Sequence, residues 1–106
     1  MNRETALQDR NGYAPSIMQE DTSYCYLCGA TSGKLDRHEP FGAANRQKSK
    51  GYGMWCMLCH STCHLGGAHK DAELNRELKA QAQAMAMETY GWTTEEFIQK
   101  FGRNYL

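Results

Sequence analysis

A chain of 106 residues, about 12 kDa, has room for one small domain with a modest apolar core. Twelve Lys+Arg cancel twelve Asp+Glu, which excludes binding to nucleic acid by bulk charge alone, and no apolar run approaches the roughly 18–20 residues of a membrane span. All five Cys and all four His fall between Cys25 and His69, which excludes an ordinary hydrophobic domain with incidental cysteines.

In chain order, residues 1–22 are polar, carry Gly12 and Pro15, and lack the apolar centre of a signal peptide. They read as a flexible leader, with Ile17 and Met18 as the one docking point. The expected compartment is cytoplasmic, where thiols stay reduced, and an odd cysteine count leaves one thiol over in any disulfide framework. Mixed Cys and His at short spacing then reads as metal ligation, a staple from which a small domain gains much.

Residues 23–69 form the expected core. Tyr52–Cys59 is apolar, aromatic and short, the best strand candidate, with Lys34–Glu39 as its hairpin partner, ended by Pro40. Residues 70–106 change composition and read as a helical extension packed on that core. Asp71–Tyr90 holds strong helix formers with no internal Gly or Pro, and Leu74, Leu78, Ala82 and Met85 mark its buried face. Met85 and Met87 read as core filler. Gly91 ends this helix. Thr93 and Glu96 form a capping box for a second helix, with Trp92 stapled onto Phe97, an apolar face of Phe97, Ile98 and Phe101, and Gly102 as the stop. The fold class is α+β.

Cys25-Tyr-Leu-Cys28-Gly29 is a turn in which both sulfurs can face one metal, and it needs two further ligands to complete a tetrahedron. Two registers are open. Cys56 and Cys59 repeat the two-residue gap, whereas Cys59 and Cys63 stand at i and i+4 on a starting helix. Either gives a structural zinc site of four thiolates.

Histidines remain after one zinc is satisfied. The run Asp36-Arg-His-Glu-Pro-Phe-Gly-Ala-Ala-Asn-Arg46 sets His38 beside Glu39, then a glycine turn, then Asn45. A hydrolytic metal site needs two or three N/O ligands and a base to activate water. His38, Glu39, His64 and His69 meet that need, with Asn45 a candidate to orient an imidazole or the attacked group. Lys34, Arg37, Arg46, Lys48 and Lys50 against Asp36 and Glu39 leave a local surplus of three positive charges, so Arg37, Arg46, Lys48 and Lys50 are candidate phosphate contacts.

The succession of CYLCG, DRHEPFGAANRQKSKGYGMW, LCHSTCH and GGAH resembles the HNH nucleases of the ββα-metal class, closest to a small phage- and prophage-associated group. The likeness runs from about Tyr24 to Leu106, because GWTTEEFIQKFGRNYL also resembles that group. It implies a two-stranded hairpin and a helix clasping one divalent metal (Mg²⁺, Mn²⁺ or Ni²⁺), stapled by zinc. It also implies Cys25, Cys28, Cys59 and Cys63 as zinc ligands, with Cys56 in an apolar strand position. His38 then matches the first His of the motif, His64 the last, and His69 a further one. Two departures stand out: Glu39 replaces a second His, and Met54 fills the usual place of the middle Asn, with Asn45 earlier in the chain. The resemblance implies a DNA endonuclease in the cytoplasm of a bacterial host, with His38, Glu39, Asn45 and His64 catalytic. The competing readings are a non-catalytic zinc module that binds DNA or a recombination or replication partner, and a structural adaptor that docks through its C-terminal helices.

Overall fold

The computed structural model describes residues 8–106. Among these residues two short strands form the sheet: β1, Leu35–His38, pairs antiparallel with β2, Cys56–Cys59. The register sets Leu35 opposite Cys59 and His38 opposite Cys56. The pleat then sorts the side chains, since neighbours on a strand face opposite ways. Cys56 and Leu58 point into the core, whereas Met57 and Cys59 are only half-buried.

β2 is shorter than the expected Tyr52–Cys59 strand because the backbone ahead of it is engaged elsewhere. The Ser49 hydroxyl donates to the Met54 carbonyl at 2.6 Å, and Met54 N–H returns a bond to the Ser49 carbonyl at 2.8 Å. The Trp55 carbonyl accepts the Ser16 hydroxyl at 2.6 Å. Between the strands the chain also folds a 3₁₀ turn, Ala43–Asn45, and a short helix α1, Arg46–Gly51, where the sequence pattern indicates only a turn and a basic stretch. A helix of six residues cannot hold itself, so α1 depends on packing: Ser49 and Lys50 are buried.

Directly after β2 the chain winds into a π-helix, π1, His60–Ala68. Two α-helices follow, α2 over Ala72–Tyr90 and α3 over Thr94–Phe101. Their ends are where the sequence chemistry puts them. The Asp71 carboxylate accepts from Glu73 and Leu74 N–H, and Thr93 and Glu96 make a reciprocal capping box. On α2, Leu78, Ala82, Gln83 and Ala86 are buried, with Leu74 and Met85 partly covered beside them. Gln83 has a job that polarity alone does not reveal. Its amide donates to Asn104 Oδ1 at 2.7 Å and its carbonyl accepts Tyr105 N–H at 2.7 Å, which fastens the C-terminal residues to α2.

Phe41 joins the helices to the hairpin. Its ring lies 4.9 Å from Phe101, 5.3 Å from Tyr105 and 5.7 Å from Phe97 between centroids, in an aromatic cluster worth more than its area burial alone. Trp92 sits against Tyr52 at 4.8 Å and Tyr90 at 5.0 Å.

Residues 14–19, expected to belong to a flexible leader, lie against the core instead, held mainly by backbone and amide bonds. Ala14 N–H donates to the Lys50 carbonyl at 3.0 Å, Ile17 N–H to the Gly53 carbonyl at 2.9 Å, and Trp55 Nε1 to the Ala14 carbonyl at 2.7 Å. Gln19 accepts Met57 N–H at 2.9 Å and donates to the Tyr24 carbonyl at 2.7 Å. Gly53 is obligatory here: it has φ of 75°, and a Cβ would stand 2.2 Å from the Pro15 carbonyl oxygen. Residues 1–7 of the expected leader lie outside the described residues.

Candidate metal centres

The Cys25–Gly29 turn closes with Gly29 N–H on the Cys25 carbonyl at 2.8 Å, and Cys25 N–H reaches the Ala30 carbonyl at 2.9 Å. Opposite it, Cys59 leaves β2 as the cap of π1 and accepts Cys63 N–H on its sulfur at 3.4 Å. The four sulfurs of Cys25, Cys28, Cys59 and Cys63 all lie within 4.8 Å of one another. Zinc–thiolate bonds of about 2.3 Å put tetrahedral sulfurs about 3.8 Å apart, and Cys28 and Cys59 Sγ are separated by 3.8 Å. This cluster can hold a metal ion such as zinc.

Strand parity explains why Cys56 is left out. Three residues from Cys59, it faces the opposite side of β2 and is fully buried. Burial pushes its thiol up to about 12, so it remains an apolar SH. Burial also opposes ionisation of Cys25, but N–H groups of Cys28, Cys59 and Leu27 outweigh it and bring that thiol down to about 6. Cys63 is pushed up, first by burial and then by the sulfurs around it. Four thiols this close cannot all ionise without a cation between them.

The second cluster grows from the same hairpin and helix. His38 ends β1, and His64 and His69 stand five residues apart on π1 and at its cap. In an α-helix, with 3.6 residues per turn, five residues overshoot one turn and the two rings would point apart. A π-helix closes its bonds at i and i+5, as His69 N–H does on the His64 carbonyl at 3.0 Å, and so stacks the two residues on one side. Their Nε2 atoms are 2.9 Å apart, and the ligand nitrogens of all three histidines fall within 4.8 Å of one another.

Gly66 is what allows the wide turn. A Cβ there would come 2.8 Å from the Ser61 carbonyl oxygen. Gly66→Ala is therefore expected to lower stability by about 1–3 kcal/mol, as overpacking against fixed backbone does. The urea midpoint with zinc in excess reads this, and an unchanged midpoint would remove Gly66 from the account.

His38 is 5 % exposed, and its Nε2 is the one buried side-chain nitrogen or oxygen without a partner among the described residues. Leaving such an atom unpaired costs about 1–3 kcal/mol. A cation among the three imidazoles would satisfy it, so these residues fit a bound metal ion. Burial, then the charges of His64 and His69, bring His38 down to about 4. The ring is thus neutral at neutral pH, with one nitrogen lone pair free to meet a cation. In the unfolded chain His38 takes up its proton near its ordinary value of 6.5, well above the folded value of about 4. Stability is complete above the unfolded value and is lost as pH falls toward the folded one. Between about pH 7 and about pH 5.5 the loss from His38 should be about 1 kcal/mol. Urea titrations with one zinc per chain, so that the histidines stay metal-free, test this, and the slope should flatten in His38→Phe.

Asp36, two residues before His38 and on the same face of β1, completes this cluster. Its Oδ2 meets His64 Nδ1 at 2.9 Å and His60 Nδ1 at 2.5 Å. Hydrogen bonds from His60 hold the carboxyl below its usual range. Sequence reading placed Asp36 only among local charges and His60 nowhere in the site. The i, i+2 spacing of Asp36 and His38 on a strand is the feature that could have found the first.

The histidines open onto a cleft of about 260 Å³ that Arg37, Glu39, Gly42 and Arg46 also line. Glu39 pairs with Arg46, Nε to Oε1, at 2.7 Å. The Arg37 guanidinium lies 4.1 Å from the Tyr13 ring centroid and 4.4 Å from that of Trp55. The remaining candidates are employed elsewhere. Asn45 turns its amide to the Phe101 carbonyl at 3.1 Å, so it ties α3 to the turn and does not line the cleft. Lys48 donates to the Lys100 carbonyl. Lys50 is buried, with Nζ 4.6 Å from the Tyr13 ring centroid. None of the helices among the described residues is long and apolar enough to cross a membrane. Comparison with protein-family models, curated proteins and solved structures finds no match to this chain.

Proposed function

We propose that this protein is a metal-dependent endonuclease of HNH type that hydrolyses DNA phosphodiester bonds. In this reading a zinc-stapled ββα-metal core carries the C-terminal helices. The observation that supports it best is the convergence of His38, His64 and His69 in a cleft edged by Arg37, Glu39 and Arg46, with His38 Nε2 buried and unpartnered. Zinc is assigned to Cys25, Cys28, Cys59 and Cys63, and His38, His64 and His69 would hold a second divalent ion, which would supply Lewis-acid stabilisation of charge on the scissile phosphate.

The chain's own groups then divide the remaining work. All three imidazoles are committed to the metal, which leaves Glu39 as the proton acceptor from the attacking water. Arg46 fixes the position of the Glu39 carboxylate through its 2.7 Å bond. Arg37 faces the cleft as the contact for a non-bridging phosphate oxygen. Asn45 has no part in this scheme, since its amide is engaged with Phe101.

Incubation of supercoiled plasmid with Mg²⁺, Mn²⁺ or Ni²⁺ tests the reading. The wild type should cut. Glu39→Gln should keep its metal content and lose about 10²–10⁴-fold in rate. A wild type that shifts DNA in a gel yet cuts no substrate with any of these ions would favour a non-catalytic zinc module.

A further inference from the structure

The cleft is backed by a segment outside the hairpin and helix that does not itself line it. Asp9–Gln19 runs as a strap along α1 and the start of β2, fixed by the bonds to Lys50, Gly53, Trp55 and Met57 described above. Its tip is built to hold one ring in place. Asp9 Oδ1 accepts Tyr13 N–H at 3.0 Å, while Asp9 N–H donates to the Tyr13 carbonyl at 2.8 Å. The Tyr13 ring packs edge-on against Trp55 at 5.8 Å between centroids.

One polar neighbour of that ring, Arg37, lines the cleft. Arg37 is held against both Tyr13 and Trp55, and Asp9 stands 3.6 Å from its guanidinium. Lys50 approaches the same Tyr13 ring. Burial, followed by the Glu39 charge, raises the Tyr13 hydroxyl above the usual phenol range. A free arginine samples many rotamers, and cation–π contact with two rings removes most of that freedom before any ligand arrives.

We propose that the Asp9–Gln19 strap braces the cleft from behind, with Tyr13 as a positioning residue that holds Arg37 toward the substrate phosphate. This deepens the endonuclease reading and rests on it. The strap acts through Arg37; Tyr13 itself is not a catalytic residue. The Tyr13 ring serves Arg37 and hence binding.

The test compares full-length wild type, Tyr13→Phe and Tyr13→Ala, all zinc-loaded, in steady-state cleavage of a short DNA duplex with Mn²⁺. Nε–H resonances of the Arg37 guanidinium are recorded alongside, because ring currents from Tyr13 and Trp55 shift them without any substrate. Tyr13→Phe keeps the ring and should keep the Arg37 resonance, KM and kcat. Tyr13→Ala should raise KM by about tenfold and move the Arg37 resonance toward its free value. A wild-type KM in Tyr13→Ala would overturn the proposal and leave the endonuclease reading standing. An inactive wild type would overturn that reading, and an Arg37 resonance unmoved in Tyr13→Ala would refute the positioning by itself. Should Tyr13→Ala not fold, Tyr13→Leu removes the aromatic face while keeping bulk, and an unchanged KM and Arg37 resonance there overturns the proposal.

Discussion

Stripping the metal from the four-thiolate cluster should unfold the protein. A structural zinc contributes on the order of 10–16 kcal/mol of apparent binding energy, while a domain this small holds about 5–15 kcal/mol in total. The ligands also sit where the fold has least else to rely on. Cys25 and Cys28 occupy a turn with no regular secondary structure, and Cys59 and Cys63 start a π-helix, which rarely persists unaided. A strong chelator should therefore abolish the cooperative thermal transition and the near-ultraviolet dichroism of Trp55 and Trp92, and added zinc should restore both. Cys25→Ser should behave like chelated wild type. Cys56→Ser is the control: it puts a hydroxyl in an apolar site, costs about 1–3 kcal/mol, and keeps zinc at one per chain. A cooperative melt that chelation leaves unchanged contradicts the role given to these sulfurs.

Loss of His64 should leave cleavage at background while zinc content stays at one per chain. His64 supplies one of three converging nitrogens, and its Nδ1 is the atom turned to Asp36 at 2.9 Å. That bond sets the proton on Nδ1 and leaves Nε2 as a lone-pair donor to the cleft. Asp36→Asn should therefore weaken Mn²⁺ binding by about 10–100-fold and lower the cleavage rate in step. Raising the Mn²⁺ concentration should recover the Asp36→Asn rate but not that of His64→Ala. Mn²⁺ titration followed by calorimetry, with zinc content measured in parallel, checks each part. Cutting retained by His64→Ala would point to a different site.

What the sequence makes legible follows from how local the determining physics is. Caps at Asp71, Thr93 and Glu96 and the stops at Gly91 and Gly102 are short-range chemistry, and the C-terminal helices lie where those residues put them. The spacing of cysteines likewise points to a cluster that could hold a metal, but the choice between Cys56 and Cys63 needs the face Cys56 takes on β2 and the turn of π1 that carries Cys63. The rest depends on contacts distant in sequence. Asn45 stands beside the site residues in sequence, yet its partner Phe101 is 56 residues away. The Asp9–Gln19 strap has almost no apolar periodicity because backbone bonds hold it, and those leave no mark on side-chain pattern. The π-helix is harder still. His60–Ala68 carries no residue that demands i+5 bonding, and the missing side chains of Gly66 against the Ser61 carbonyl and Gly67 against the Thr62 carbonyl permit it.

Two candidate metal positions are the centre of this account: four sulfurs shared between the Cys25–Gly29 turn and the start of π1, and three imidazoles shared between β1 and π1. Crystals grown with zinc and Mn²⁺, with anomalous differences recorded at each metal's absorption edge, test it most directly. The account predicts zinc bound to Cys25, Cys28, Cys59 and Cys63, and manganese bound to Nε2 of His38, His64 and His69. Manganese absent from the histidines, or zinc bound through Cys56, would contradict it.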